Sequence, residues 1–192
     1  MAAQPRRTWS SRQTELLDDL EALFLASGFR HLTIGEMAAQ LRCSRRTLYG
    51  IAESKEELVP LVVERFYNRL GREARRRAGE SSDPVTRIAA YMSTSVDRYR
   101  DVSPEFNADM LAYGPTREVA DRQQALAMRA LEEILEEGVA SGSIRAGHPT
   151  LLAEILDATL QRIRDPEVLT RTGASRSDAL KALIDLLTHG LT

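Results

Sequence analysis

The 192-residue chain carries 28 acidic and 26 basic side chains, for a net charge of −2, with 43% hydrophobic residues, 11 glycines and 7 prolines. This balance suits a soluble globular chain long enough to bury a core, and it excludes the disordered and collagen-like classes. A net charge near zero gives no global attraction to nucleic acid, so DNA binding requires a local cluster. The single cysteine, Cys43, cannot close an internal disulfide, and no apolar run reaches the ~18–20 residues of a membrane-spanning helix. The early arginines lead into an amphipathic segment rather than a signal core, so a cytoplasmic protein with no membrane partner is expected.

In chain order, Leu16, Leu17, Leu20, Leu23 and Phe24 recur at three- and four-residue steps, one stripe of a first helix that stops near Gly28. Thr33 stands as the N-cap of a second helix of about two turns, with Ile34, Met37, Ala38 and Leu41 at helical spacing. Ser44 caps a third short helix, Arg45 to about Ile51. Ser54-Lys55-Glu56-Glu57 is a capping box, so a fourth helix begins at Lys55 and runs to the Arg75-Arg76-Arg77 region, with Pro60 in its second turn predicting a kink.

Ser82-Asp83-Pro84 opens a fifth helix reaching about Asp101, and Ser103-Pro104-Glu105 a sixth that ends at Gly114. Pro115 to Ala140 reads as one long helix closed by Ser141-Gly142-Ser143. Two more helices, Pro149 to Arg164 and Ser175 to His189, are apolar on more than one row. Leu151, Leu152, Ile155, Leu156, Leu160 and Ile163 form one stripe, and Leu180, Leu183, Ile184, Leu186 and Leu187 the other. A partner chain is the simplest cover for such helices. No strand alternation or internal repeat is present, so the expected fold is all-α with about nine helices.

The second and third helices, joined by Arg42-Cys43, make a helix-turn-helix, a pattern that also occurs for purely structural reasons in helical proteins. Charge separates the two readings. Arg45 and Arg46 occupy the first turn of the third helix, where the helix dipole disfavours cations by roughly 0.3–1 kcal/mol each. The same position is where a recognition helix reaches guanine O6 and N7. Arg6, Arg7 and Arg12 form an arm for the minor groove or phosphates, or a solvated tail.

Enzyme readings find little support. None of His31, His148 and His189 has a Glu three residues before it, so no ferritin-like metal site is encoded. Glu132, Glu133, Glu136 and Glu137 read as a solvated helix face. No cofactor and no metal are expected. Cys43, near Arg42 and Arg45, is either a thiol activated by its arginines or a valine-like packing residue of the turn.

Residues 16–66, reading LLDDLEALFLASGFRHLTIGEMAAQLRCSRRTLYGIAESKEELVPLVVERF, resemble the N-terminal domain of the tetracycline-repressor (TetR) family of transcriptional regulators. Leu23-Phe24, Gly28-Phe29, Thr33-Ile34, Met37-Ala38, Ser44, Thr47-Leu48-Tyr49 and Ser54-Lys55-Glu56 carry the likeness. Glu136 to Gly142, followed by Ile144-Arg145, resembles the end of the family's long seventh helix. The resemblance implies an N-terminal three-helix DNA-binding head, residues 1–56, and a helical effector-binding and dimerisation body, residues 57–192.

It further implies a homodimer that binds a palindromic operator on double-stranded DNA and is released by a small-molecule effector, usually as a repressor. Thr33, Thr47, Tyr49 and Lys55 would meet phosphates, and Arg45 and Arg46, on a helix capped by Ser44, would meet bases. The dimer would form through the last two helices, at Leu152, Leu156, Leu160, Leu183 and Leu187. The bulky body residues Phe66, Tyr67, Tyr91, Met92, Tyr99, Phe106, Met110, Tyr113 and Met128 are candidates to line a cavity for a mostly apolar, uncharged ligand, or else plain core.

The chain departs from the family pattern at two places. Arg42 replaces the usual glycine between the second and third helices, at about 1 kcal/mol or more if that position needs a positive φ. Gly50 follows Tyr49, removing a groove contact and loosening the helix by about 1 kcal/mol relative to Ala. These two are the grounds for an alternative, a helical-bundle interaction protein without specific DNA binding.

Overall fold

The structure, a computed structural model, describes residues 8–145 and 148–190, and among them every regular element is a helix. In chain order these are α1 (Ser11–Ser27), α2 (Ile34–Gln40), α3 (Arg45–Tyr49), α4 (Lys55–Ala78) and α5 (Pro84–Tyr99). Then come α6 (Pro104–Ala112), α7 (Gly114–Ala140), α8 (Pro149–Ile163), α9 (Pro166–Thr172) and α10 (Arg176–Gly190). The chain divides into two compact units. One comprises the described residues up to Glu64 together with Ser103–Arg117, and the other Arg65–Val102 with the described residues from Glu118 onward.

In the first unit, α1 buries Leu16, Leu17, Leu20 and Phe24, the row its periodicity predicts. Its start is a capping box in which Ser10 Oγ accepts from Gln13 N at 3.3 Å while Gln13 Oε1 accepts from Ser10 N at 3.1 Å. Phe29 sits in an aromatic cluster, with ring centroids 5.5 Å from Phe24, 5.9 Å from Phe106 and 6.2 Å from Tyr113.

Helix α6 is therefore packed within this unit. Two further contacts seat it there. Ser103 N donates to Leu25 O at 2.9 Å, and the Asp109 carboxylate accepts from the backbone N–H groups of Phe29 at 2.7 Å and Arg30 at 2.8 Å. These are contacts across about eighty positions of sequence, beyond the reach of local periodicity.

The second unit is built around Ile88, Tyr91 and Met92 of α5 and Leu131, Ile134 and Leu135 of α7, with Leu156 of α8 and Leu183 of α10 joining the cluster. Helix α10 lies along α5, and Ser177 Oγ donates to Val96 O at 3.2 Å. At the end of α7, Gly138 admits Ile144: a Cβ there would come within 2.4 Å of Ile144 Cδ1 and 3.0 Å of Pro84 Cβ.

Two expectations are corrected. Ten helices are present among the described residues rather than about nine, the extra one being α9, which starts at Asp165-Pro166 as α5 starts at Asp83-Pro84. It has no buried residue, so it left no apolar stripe to read. Helix α3 ends at Tyr49, two residues before the expected end, and Ile51 and Ala52 turn inward and are buried. Helix α4 starts at Lys55, as expected, and its 24 residues include Pro60, which forfeits one backbone bond near the helix start.

Candidate functional site

The helix-turn-helix is held by three local devices. Thr33 caps α2 through a reciprocal box with Glu36: Thr33 N donates to Glu36 Oε2 at 2.7 Å, and Glu36 N donates to Thr33 Oγ1 at 3.2 Å. Thr33 Oγ1 also donates to that carboxylate at 2.8 Å, so these bonds from the Thr33 backbone and hydroxyl hold the Glu36 carboxyl below its ordinary value. At the other end of α2, Arg42 adopts φ 51° in the left-handed region. Arg42 N bonds Ala39 O at 3.2 Å and Cys43 N bonds Ala38 O at 2.9 Å, the paired bonds of a Schellman turn. The tight turn usual for glycine is thus kept despite the arginine. Ser44 then caps α3, accepting from Thr47 N at 3.1 Å, with the two hydroxyls 2.8 Å apart.

These devices leave Ser44, Arg45, Arg46 and Tyr49 exposed, Tyr49 to 50%, while Leu48 alone on α3 is buried. The unit therefore presents α3 outward with two guanidinium groups in its first turn. The Arg45 guanidinium lies against α2 at Gly35, where an added Cβ would come within 2.7 Å of its terminal nitrogen. Lys55 Nζ donates to Arg30 O at 2.7 Å, and burial lowers its pKa from the ordinary lysine value.

Arg12, placed in the arm, pairs with Glu15 at 3.2 Å, while Arg6 and Arg7 lie outside the described residues. Cys43 is half-buried, and burial pushes its thiol up against the opposing charge of Arg12, which favours the packing reading over an activated thiol.

Three residues that position this face were not singled out from sequence. Gln13 Nε2 donates to Gly50 O at 3.2 Å, tying the start of α1 to the end of α3. Its signal was the Ser-x-x-Gln spacing from Ser10. Gly35 gives Arg45 its space, and Asp109 orders the α1–α2 link, where Gly28 has φ 75° and a Cβ would come within 2.6 Å of the Asp109 carboxylate. Neither left a local pattern.

An open cleft lies within the second unit, lined from α4, α5, α7, α8 and α10. Of the nine candidate ligand residues, Tyr67, Tyr91, Met92 and Tyr99 line it. Phe66 and Met128 are buried in the second unit outside the lining, and Phe106, Met110 and Tyr113 belong to the first unit. The lining adds what bulk and aromaticity did not signal, Arg75, Arg164 and Arg176 with Gln123 and Gln124.

Of the candidate dimer residues, Leu156 and Leu183 are buried in the chain's own core, and Leu152, Leu160 and Leu187 pack partly against it. The outward row lies one helical position away, at Leu151, 57% exposed, Ile155, 56%, and Leu186, 73%.

Among the described residues no three His, Cys, Asp or Glu side chains cluster to hold a metal, and no helix is long and apolar enough to cross a membrane. No family model matches the chain. It is 34% identical over 97 residues to an uncharacterized HTH-type transcriptional regulator of Mycobacterium tuberculosis, found in two strains, covering 48% of this chain and 48% of the relative. The chain thus spans about half the length of these curated relatives. Among solved structures, a TetR-family transcriptional regulator from Agrobacterium tumefaciens superposes with a TM-score of 0.73 at 16% identity, covering 95% of this chain and 98% of that one. The regulator FadR of Bacillus subtilis, solved in complex with stearoyl-CoA, gives 0.70 at 14% identity, with 94% and 100% covered. Matches of this extent show that the chain has the fold of the TetR-family transcriptional regulators.

Proposed function

We propose that the chain is a cytoplasmic one-component transcriptional regulator of the TetR family, a repressor that binds a palindromic operator as a homodimer and releases it when a small, mostly apolar effector enters the second-unit cleft. Arg45 and Arg46 read base edges, while Thr33, Thr47, Tyr49 and Lys55 meet phosphates around a helix capped by Ser44. The observation that carries the reading is the exposed pair Arg45 and Arg46 in the first turn of α3, behind a turn that keeps its left-handed geometry at Arg42. Stability alone disfavours two cations at that position.

Dimerisation uses the exposed apolar row of Leu151, Ile155 and Leu186, and a two-fold pair of chains matches a palindromic site. The cleft supports the effector reading through its aromatic and methionine lining. Catalysis forms no part of this function.

Selection of bound sequences from random duplex DNA by the full chain tests it. An enriched inverted repeat supports the reading. Recovery of no common sequence, at a salt concentration where nonspecific binding is weak, refutes it.

A further inference from the structure

The cleft's polar groups decide what chemistry it admits. Its lining contains three arginines, Arg75, Arg164 and Arg176, and no Asp or Glu. The Arg176 guanidinium carbon sits over the Tyr99 ring, 3.8 Å from its centre, a cation–π contact that holds the charge beside this ring. The Tyr99 hydroxyl in turn lies in hydrogen-bond contact with the Tyr67 hydroxyl at 3.2 Å, which sets the two phenols side by side in the cleft. Burial holds the Tyr67 hydroxyl well above its ordinary pKa, against the opposing charges of Arg176 and Arg164, so it stays a donor at neutral pH with both guanidinium groups acting on it.

We infer that the cleft takes an amphipathic anion, an apolar alkyl or aryl body carrying one carboxylate. The carboxylate is held by Arg176 and Arg164 beside the Tyr67 hydroxyl, and the body lies against the apolar lining. This rests on the reading of the cleft as the effector site and narrows the expected ligand from an uncharged molecule to a charged one. Planar guanidinium groups match a carboxylate in two parallel bonds. Arg164 already shares its charge with Asp121 at 3.1 Å, which suits a single anionic group better than a polyanion. A neutral ligand would offer these guanidinium groups no opposing charge, and a cationic one would be repelled.

The test is calorimetric titration of the full chain with decanoate, decan-1-ol and decylamine, three probes of one chain length that differ in head charge. Decanoate is expected to bind at least about tenfold more tightly than decan-1-ol, the strength of one charge-assisted hydrogen bond, with decylamine weakest. Arg176→Met and Arg164→Met should each erase most of that preference while leaving decan-1-ol binding intact, which also shows that the variants are folded. Ala127→Trp, which fills the lining, should abolish binding of all three.

Equal binding of decanoate and decan-1-ol by the wild type, both blocked by Ala127→Trp, overturns the anion inference and leaves the effector cleft standing. No binding of any probe, or binding indifferent to Ala127→Trp, overturns both. Preferential decanoate binding that leaves affinity for the selected DNA unchanged supports the ligand class and removes the effector role.

Discussion

Arg42 offers a direct test of how the reading head is built. Its φ of 51° places a Cβ-bearing residue in the left-handed region, which costs roughly 1–2 kcal/mol. Replacing it by glycine removes that strain but adds backbone entropy to the unfolded chain, which returns about 0.5–1 kcal/mol. The net expectation for Arg42→Gly is a stabilisation of about 0.5–1 kcal/mol. Arg42→Ala keeps the Cβ and should leave stability close to the wild type, which separates strain relief from the loss of an exposed cation. Both bonds of the turn, Cys43 N to Ala38 O and Arg42 N to Ala39 O, involve backbone alone and survive either change.

Trp9, the chain's single tryptophan, stands beside the Ser10 cap of α1 in the first unit, so its fluorescence in urea follows this unit's unfolding. The midpoint should rise for Arg42→Gly with the slope unchanged. A glycine variant no more stable than the alanine variant would refute the argument.

Gly138→Ala should cost about 1–3 kcal/mol by overpacking against Ile144 and the Pro84 ring, seen as a lowered urea midpoint by circular dichroism. The Arg76 and Arg77 side chains bond the Glu73 carboxyl and hold it at about 2 against an ordinary 4.5. Its stabilising contribution is therefore complete above the ordinary value and lost as pH falls from about 5 towards 2. Glu73→Gln should flatten the acid limb of a stability–pH profile, and an unchanged limb would remove Glu73 from it. Sedimentation should find the wild type as a dimer at micromolar concentration and Leu186→Asp as a folded monomer. A monomeric wild type would remove the two-fold account.

How much of this was legible in sequence follows from the range of each interaction. The helices were readable because caps and apolar rows are local: Thr33, Ser44, Asp83 and Ser103 each begin a helix as their residue type suggests. The exposed arginines of α3 were readable for the same reason, since one cap and one buried residue, Leu48, fix which way a five-residue helix faces. The place of α6 in the first unit was not, because Phe106 and Asp109 find their partners far back in the chain, at Phe29 and Arg30 of the α1–α2 link.

The cleft was half-readable. Bulk and aromaticity found Tyr67, Tyr91, Met92 and Tyr99, but its arginines come from α4, α8 and the start of α10 and look like surface charge in one dimension. The most exposed apolar row lies one position away from the candidate dimer residues. Helices apolar on several rows do not by themselves say which row meets their own core, and Leu156 and Leu183 turned out to face it.

The central claim, that α3 reads DNA through its first turn, is tested most directly by fluorescence-anisotropy titration of the selected duplex with the wild type, Arg45→Ala and Arg46→Ala at one salt concentration. Each arginine removed should cost about 1–3 kcal/mol per bidentate contact and relax base preference at one position of each half-site. Unchanged affinity and unchanged preference in both variants would contradict the account.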